Sequence, residues 1–123
     1  MLDRLMNKRP SDPAIAERIP PGQYLTEKFP VLHYGSTPHT DLTTWDFKVF
    51  GLVDSPFRLT WDEFRNLPRK QVLTDIHCVT RWSKLDTAWE GVAIQTILEM
   101  ADVRPEATHV IAHCEQGYTT NMP

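Results

Sequence analysis

The chain offers strand-like periodicity only in short runs, and that restricts it to a small mixed fold. Trp45–Phe50 alternates cleanly, with Trp45, Phe47 and Val49 on one side and Asp46 and Lys48 on the other, as in a strand with one wet face. Val72–Cys78 and Thr108–Cys114 are further apolar runs, and each closes on a His–Cys pair. Between these two, Ile94, Ile97, Leu98 and Ala101 recur at i, i+3, i+4 and i+7 and predict an amphipathic helix over 92–101. Thr60-Trp61-Asp62-Glu63 has the form of a capping box, in which the Thr60 hydroxyl accepts from the Glu63 amide and the Glu63 carboxylate reaches back. A short helix is expected from there to about Leu67, with Pro68 as its stop. Short strands and short helices together predict a mixed domain with a thin core.

The N-terminal stretch is different in kind. Pro10, Pro13, Pro20, Pro21 and Pro30 interrupt any long element there. It reads as an extended arm over residues 1–20 with one helical turn around Ala14–Arg18, followed by a single domain over 21–123. Phe29–Gly35 is a short apolar segment ending in a turn. Thr80–Gly91, which holds Trp82 and Trp89, reads as a loop. After the Thr108–Cys114 strand, Glu115-Gln116-Gly117 turns the chain and Tyr118–Asn121 begins a new element. The segment ends at Met122-Pro123 without a closing element, as expected for the N-terminal part of a longer domain.

Composition narrows the function classes. The chain has 123 residues, 41% hydrophobic and 24% charged, a globular balance sufficient for one core. A net charge of -3 offers no basic footprint for nucleic acid. No apolar run is long enough to span a bilayer. The first ten residues lack the apolar centre of a secretory signal and a twin arginine, which points to a cytoplasmic location.

Cys78 and Cys114 are the only cysteines. In a reducing compartment burial, metal ligation and catalysis are the readings to weigh. Structural zinc fits poorly, because neighbours such as His77 and Cys78 point to opposite faces of a strand and the spacing matches no compact zinc pattern. A nucleophilic cysteine would need a base from among His33, His39, His77, His109 and His113. A third reading takes Cys78, at the end of an expected buried strand, as a soft metal ligand, with Arg81 three residues on as an anion site.

Asp75-Ile76-His77-Cys78-Val79-Thr80-Arg81-Trp82-Ser83, followed by Trp89-Glu90-Gly91-Val92 and the amphipathic helix, gives that reading a precedent. So do Phe50-Gly51-Leu52-Val53, Leu59-Thr60-Trp61-Asp62-Glu63-Phe64 and Cys114-Glu115-Gln116-Gly117-Tyr118-Thr119-Thr120-Asn121. In order and spacing these segments resemble the molybdopterin-binding domain of the sulfite oxidase family, in particular its small, haem-free prokaryotic members. The resemblance runs from about Pro20 to the last residue. It implies a mixed, β-rich α+β fold and a molybdopterin cofactor carrying molybdenum, with Cys78 as the protein's ligand to the metal. It places cofactor contacts on Leu32–Gly35, through His33 and Tyr34, and near His113 and Cys114. Thr80 and Arg81 fall beside the ligand, where Arg81 would hold a phosphate or an oxyanion substrate. The implied reaction is two-electron oxygen-atom transfer on a small substrate such as sulfite or a sulfoxide, with an external electron-transfer partner. The family's later glycine-, arginine- and lysine-rich phosphate clasp has no counterpart in these residues. A non-catalytic scaffold of the same fold and a cysteine hydrolase are the competing readings.

Overall fold

The structure is a computed structural model and describes residues 11–30 and 33–123. The start of the arm and Leu32, one of the expected cofactor-contacting positions, lie outside the described residues. In chain order the elements are α1 (Pro13–Glu17), β1 (Tyr24–Leu25), β2 (Asp46–Val49), β3 (Phe57–Thr60), α2 (Trp61–Arg65), β4 (Arg69–His77), β5 (Trp82–Val92), α3 (Ile94–Ala101), β6 (Val110–His113) and β7 (Thr119–Met122). This is the expected mixed α+β class. The chain divides into two compact units. The first comprises Gln71–Glu90 with the described residues before position 31, and the second Gly91–Pro123 with those from 33 to Lys70.

In the first unit β5 is the central strand of a sheet ordered β1-β5-β4. β1 runs parallel to it, pairing Tyr24 with Trp82 and Leu25 with Ser83. Trp82 and Ile19 are buried here, with the polar Ser83 and Thr87. The Trp82 ring meets Phe29 edge-on at 5.8 Å, a favoured aromatic geometry. Arg18, which caps α1, ties this unit together. It donates to Asp75 on β4 and Asp86 on β5, both at 2.6 Å, and the Asp86 amide also donates to Asp75 at 3.0 Å.

The second unit holds the antiparallel pairs β2–β3 and β6–β7. Trp45 packs edge-on to Trp61 and Phe64, and Phe47 lies against Phe64 at 5.0 Å, so one face of β2 sits on α2. The capping box of α2 is present, with Thr60 Oγ1 accepting from the Glu63 amide and the Glu63 carboxylate accepting from the Thr60 amide. α3 buries Ile97 and Ala101, two of the positions its periodicity marks. Asp102 ends it in a left-handed turn at φ 51, a common helix terminator.

Two expectations need correction. Residues 82–92 form an eleven-residue strand, not a loop. Asp86 stands at φ 52 within it, opposite Asp75; such a left-handed residue shifts the side-chain alternation as a bulge does, which hides the period. β4 is largely exposed, not buried: Val72 is 52% and Leu73 69% accessible. It is the edge of its sheet, so only one flank is paired.

The Arg18–Asp75–Asp86 group carries a pH prediction. Hydrogen bonding to Arg18 is the largest cause that lowers the Asp75 carboxyl from 3.8 to about 2. A depressed folded-state value stabilises the fold above the unfolded value, and that contribution is lost as pH falls from about 4 through about 2. The expected result is that acid unfolding midpoints of the native chain and of Asp75→Asn converge over this window and separate above it. Parallel curves from pH 5 to 2 would rule the contribution out.

Candidate functional site

The turn between β4 and β5 places Cys78, Thr80 and Arg81 together. Cys78 lies one residue past the end of β4. Its amide donates to the Trp82 carbonyl at 2.9 Å, and the Arg81 amide donates to the Cys78 carbonyl at 3.0 Å. These bonds close a tight hairpin turn whose last residue must be left-handed. That residue is Arg81, at φ 71, where glycine or asparagine would be the less strained choice. The Arg81 guanidinium makes no ion pair among the described residues and is exposed. A long cation with no ion pair among the described residues thus occupies a turn position that favours glycine.

Thr80 Oγ1 donates to Cys78 Sγ at 3.2 Å. That bond is the main cause lowering the Cys78 thiol from its usual range, and the Thr80 and Val79 amides act in the same direction. Hydrogen bonds that favour the charged form favour the thiolate, the species that ligates a soft metal. Both cysteines are free thiols, Cys78 partly shielded and Cys114 exposed. Among the described residues no three His, Cys, Asp or Glu side chains converge as a metal site.

The remaining candidates assemble in the second unit. Nδ1 of His33 donates to the Gly35 carbonyl at 2.7 Å. Tyr34 lies against Tyr118 with ring centroids 5.1 Å apart. Gln116 Nε2 donates to the Ser36 carbonyl at 2.8 Å, and Thr40 Oγ1 donates to the Glu115 carboxylate at 3.3 Å. Gly35 stands at φ 69, a left-handed position that favours glycine, and a Cβ there would lie 2.8 Å from Gln116 Oε1. His113 lies against the Phe50 ring at 5.7 Å, and the Cys114 amide donates to the Tyr118 carbonyl at 2.8 Å. His33, Tyr34, His113 and Cys114 therefore belong to one segment-on-turn cluster built on residues 33–40 and 113–118. All four are exposed.

Sequence reasoning missed several members. Gln116 and Tyr118 stand inside a quoted motif but were given no role. Gln23 and Ser83 form hydrogen bonds around Cys78; Pro20-Pro21-Gly22, just before Gln23, read only as a break.

Residues 34–123 match the family described as the oxidoreductase molybdopterin binding domain. The chain belongs to that family. The family binds molybdopterin, and the chemistry of the site agrees: a thiolate-prone sulfur at a strand end suits a soft-tolerant, redox-active metal. Molybdopterin with its molybdenum is the cofactor the chain is built for. Among curated proteins it is 49% identical over 107 residues to the uncharacterized oxidoreductase YuiH of Bacillus subtilis (strain 168), covering 86% of this chain and 54% of that protein. It is 34% identical to the protein-methionine-sulfoxide reductase catalytic subunit MsrP of Gluconobacter oxydans (strain 621H), over 54% of this chain and 21% of that protein. It is 26% identical to nitrate reductase [NADH] 1 of Oryza sativa subsp. japonica, over 94% of this chain and 15% of that protein. The chain thus spans about half the length of the first of these relatives and less of the others. No solved structure matches it. No helix among the described residues is long and apolar enough to cross a membrane.

Proposed function

We propose that the protein containing this chain catalyses two-electron oxygen-atom transfer on a small substrate, a sulfoxide or an oxyanion such as sulfite, with Cys78 as the protein ligand to molybdenum. The observation that carries the reading is the Cys78 turn: a sulfur held toward the thiolate by Thr80, in the same turn as Arg81, whose guanidinium makes no ion pair among the described residues. When bound, the molybdenum–pterin group supplies the oxygen-atom transfer itself; the protein supplies placement and charge. Cys78 fixes the metal at the turn. Thr80 donates to the sulfur and favours its anionic form. Arg81 attracts and orients an oxyanion or a polarised S=O oxygen by charge-assisted hydrogen bonds. For the second unit, the family resemblance implies cofactor contacts at His33, Tyr34, His113 and Cys114. Reduction of a sulfoxide consumes two electrons and two protons and releases water, so an external electron-transfer protein completes the cycle.

Two relatives are named for protein-methionine-sulfoxide reduction and nitrate reduction; both reactions remove an oxygen atom and support this class. The test is paired assays on the holoenzyme: sulfoxide and oxyanion reduction with a reduced dye, and sulfite oxidation with an artificial acceptor. Turnover in one of them that disappears when the cofactor is omitted from the host supports the reading. No turnover in either redox assay, together with hydrolytic activity that needs no molybdenum and is blocked by thiol alkylation, would replace it with a cysteine hydrolase.

A further inference from the structure

We infer that Gln23 is a positioning residue for Cys78, acting through a hydrogen-bond brace that spans both ends of the β4–β5 turn. The inference rests on Cys78 being the metal ligand. Gln23 Nε2 donates to the Cys78 carbonyl at 3.1 Å, and Ser83 Oγ donates to Gln23 Oε1 at 2.6 Å. His77 Nδ1 lies 2.8 Å from Ser83 Oγ. The brace therefore touches the residue before the ligand, the ligand's own backbone, and the second residue beyond the turn.

The proton pattern has a single consistent solution. The Cys78 carbonyl only accepts, so the Gln23 amide must present its NH₂ to it and its oxygen to Ser83. Ser83 then spends its one proton on Gln23 and can only accept from His77. His77 accordingly carries its proton on Nδ1. Turning the Gln23 amide over would face two carbonyl oxygens at the Cys78 end. Ser83 is fully buried, and a buried hydroxyl left without its partner is not compensated by water. The orientation is thus locked from the inside.

The backbone makes Gln23 rigid as well. The Gln23 amide donates to the Pro20 carbonyl at 3.2 Å, with Gly22 at φ 80. Pro20-Pro21-Gly22-Gln23 is therefore a type II turn, with proline and glycine in the positions that turn requires. Beyond it, the Tyr24 amide donates to the Arg81 carbonyl and the Thr26 amide to the Ser83 carbonyl, both at 2.9 Å. A stiff turn followed by a parallel strand delivers one side-chain amide to the ligand's carbonyl. Rigid support of this kind holds a metal ligand in its working geometry.

The test uses Gln23→Met, which keeps length and removes both polar atoms, and Ser83→Ala, which removes the central link. In the cofactor-free chain, amide exchange at Cys78 and Arg81 is expected to accelerate about tenfold or more in both variants, with β2–β3 amides unchanged. In the holoenzyme the Mo(V) electron paramagnetic resonance g-values are expected to shift. kcat should fall about tenfold with KM within a factor of two. Faster exchange with unaltered g-values and kcat would overturn the inference, because the brace would then be merely structural. Unaltered exchange would overturn it too. If Gln23→Met fails to fold, Ser83→Ala gives the same readings. Cys78→Ser run beside them separates the two levels. A Mo(V) signal lost in Cys78→Ser but unaltered in the brace variants sinks only the role of Gln23. A signal that Cys78→Ser leaves unchanged sinks the ligand assignment and the brace with it.

Discussion

The Cys78→Ser holoenzyme is expected to fall below about 1% of the parent turnover while the cofactor-free chain keeps its fold. The reason is chemical and local. Serine is isosteric and can still accept from Thr80, but a hydroxyl is far less acidic than a thiol, and a hard oxygen is a poor substitute for a soft sulfur donor. Cys78 is only partly shielded and sits in a turn; the stability change should stay under about 1 kcal/mol, as for substitutions outside a packed core. Turnover and the Mo(V) signal in the holoenzyme, with a thermal melt of both forms, check this. Retained turnover with molybdenum still bound would remove Cys78 from the site.

Arg81→Gly is expected to separate function from stability. Arg81 holds φ 71 at the closing position of the turn, a conformation that costs an L-residue about 1–2 kcal/mol and glycine almost none. Glycine's greater freedom in the unfolded chain offsets part of the gain. The variant should therefore be as stable as the parent or better by up to about 1 kcal/mol, yet show KM for an anionic substrate raised about tenfold or more. Steady-state kinetics against thermal or urea unfolding checks both halves. A clear loss of stability, or an unchanged KM, would mean that the guanidinium supports the fold and not the substrate.

The sequence revealed most where chemistry is local. The capping box at Thr60 and Glu63, the α3 face carrying Ile97 and Ala101, and the β2 alternation all depend on residues within a few positions of one another, and all are present. The Cys78–Arg81 grouping was legible for the same reason, because one turn contains it. β5 was hidden because its strand character comes from pairing with β1 on one side and β4 on the other, while Asp86 at φ 52 interrupts its period. The exposure of β4 was hidden because an apolar run reveals a capacity for burial but not whether a neighbour covers it. Gln23 and Ser83 were illegible for a further reason. They lie 55 and 5 residues from Cys78 in opposite directions along the chain. Only the parallel pairing of β1 with β5 brings them together, and no spacing rule encodes a glutamine amide aimed at a distant carbonyl.

The most direct measurement is molybdenum by mass spectrometry, with fluorescence detection of released pterin, on holoprotein and on Cys78→Ser purified from a host that makes the cofactor. Near-stoichiometric molybdenum with pterin in the parent, and loss of the Mo(V) signal in Cys78→Ser, is the predicted result. Full-length protein from that host that carries neither molybdenum nor pterin, or a Cys78→Ser variant with unaltered metal spectrum, would contradict it.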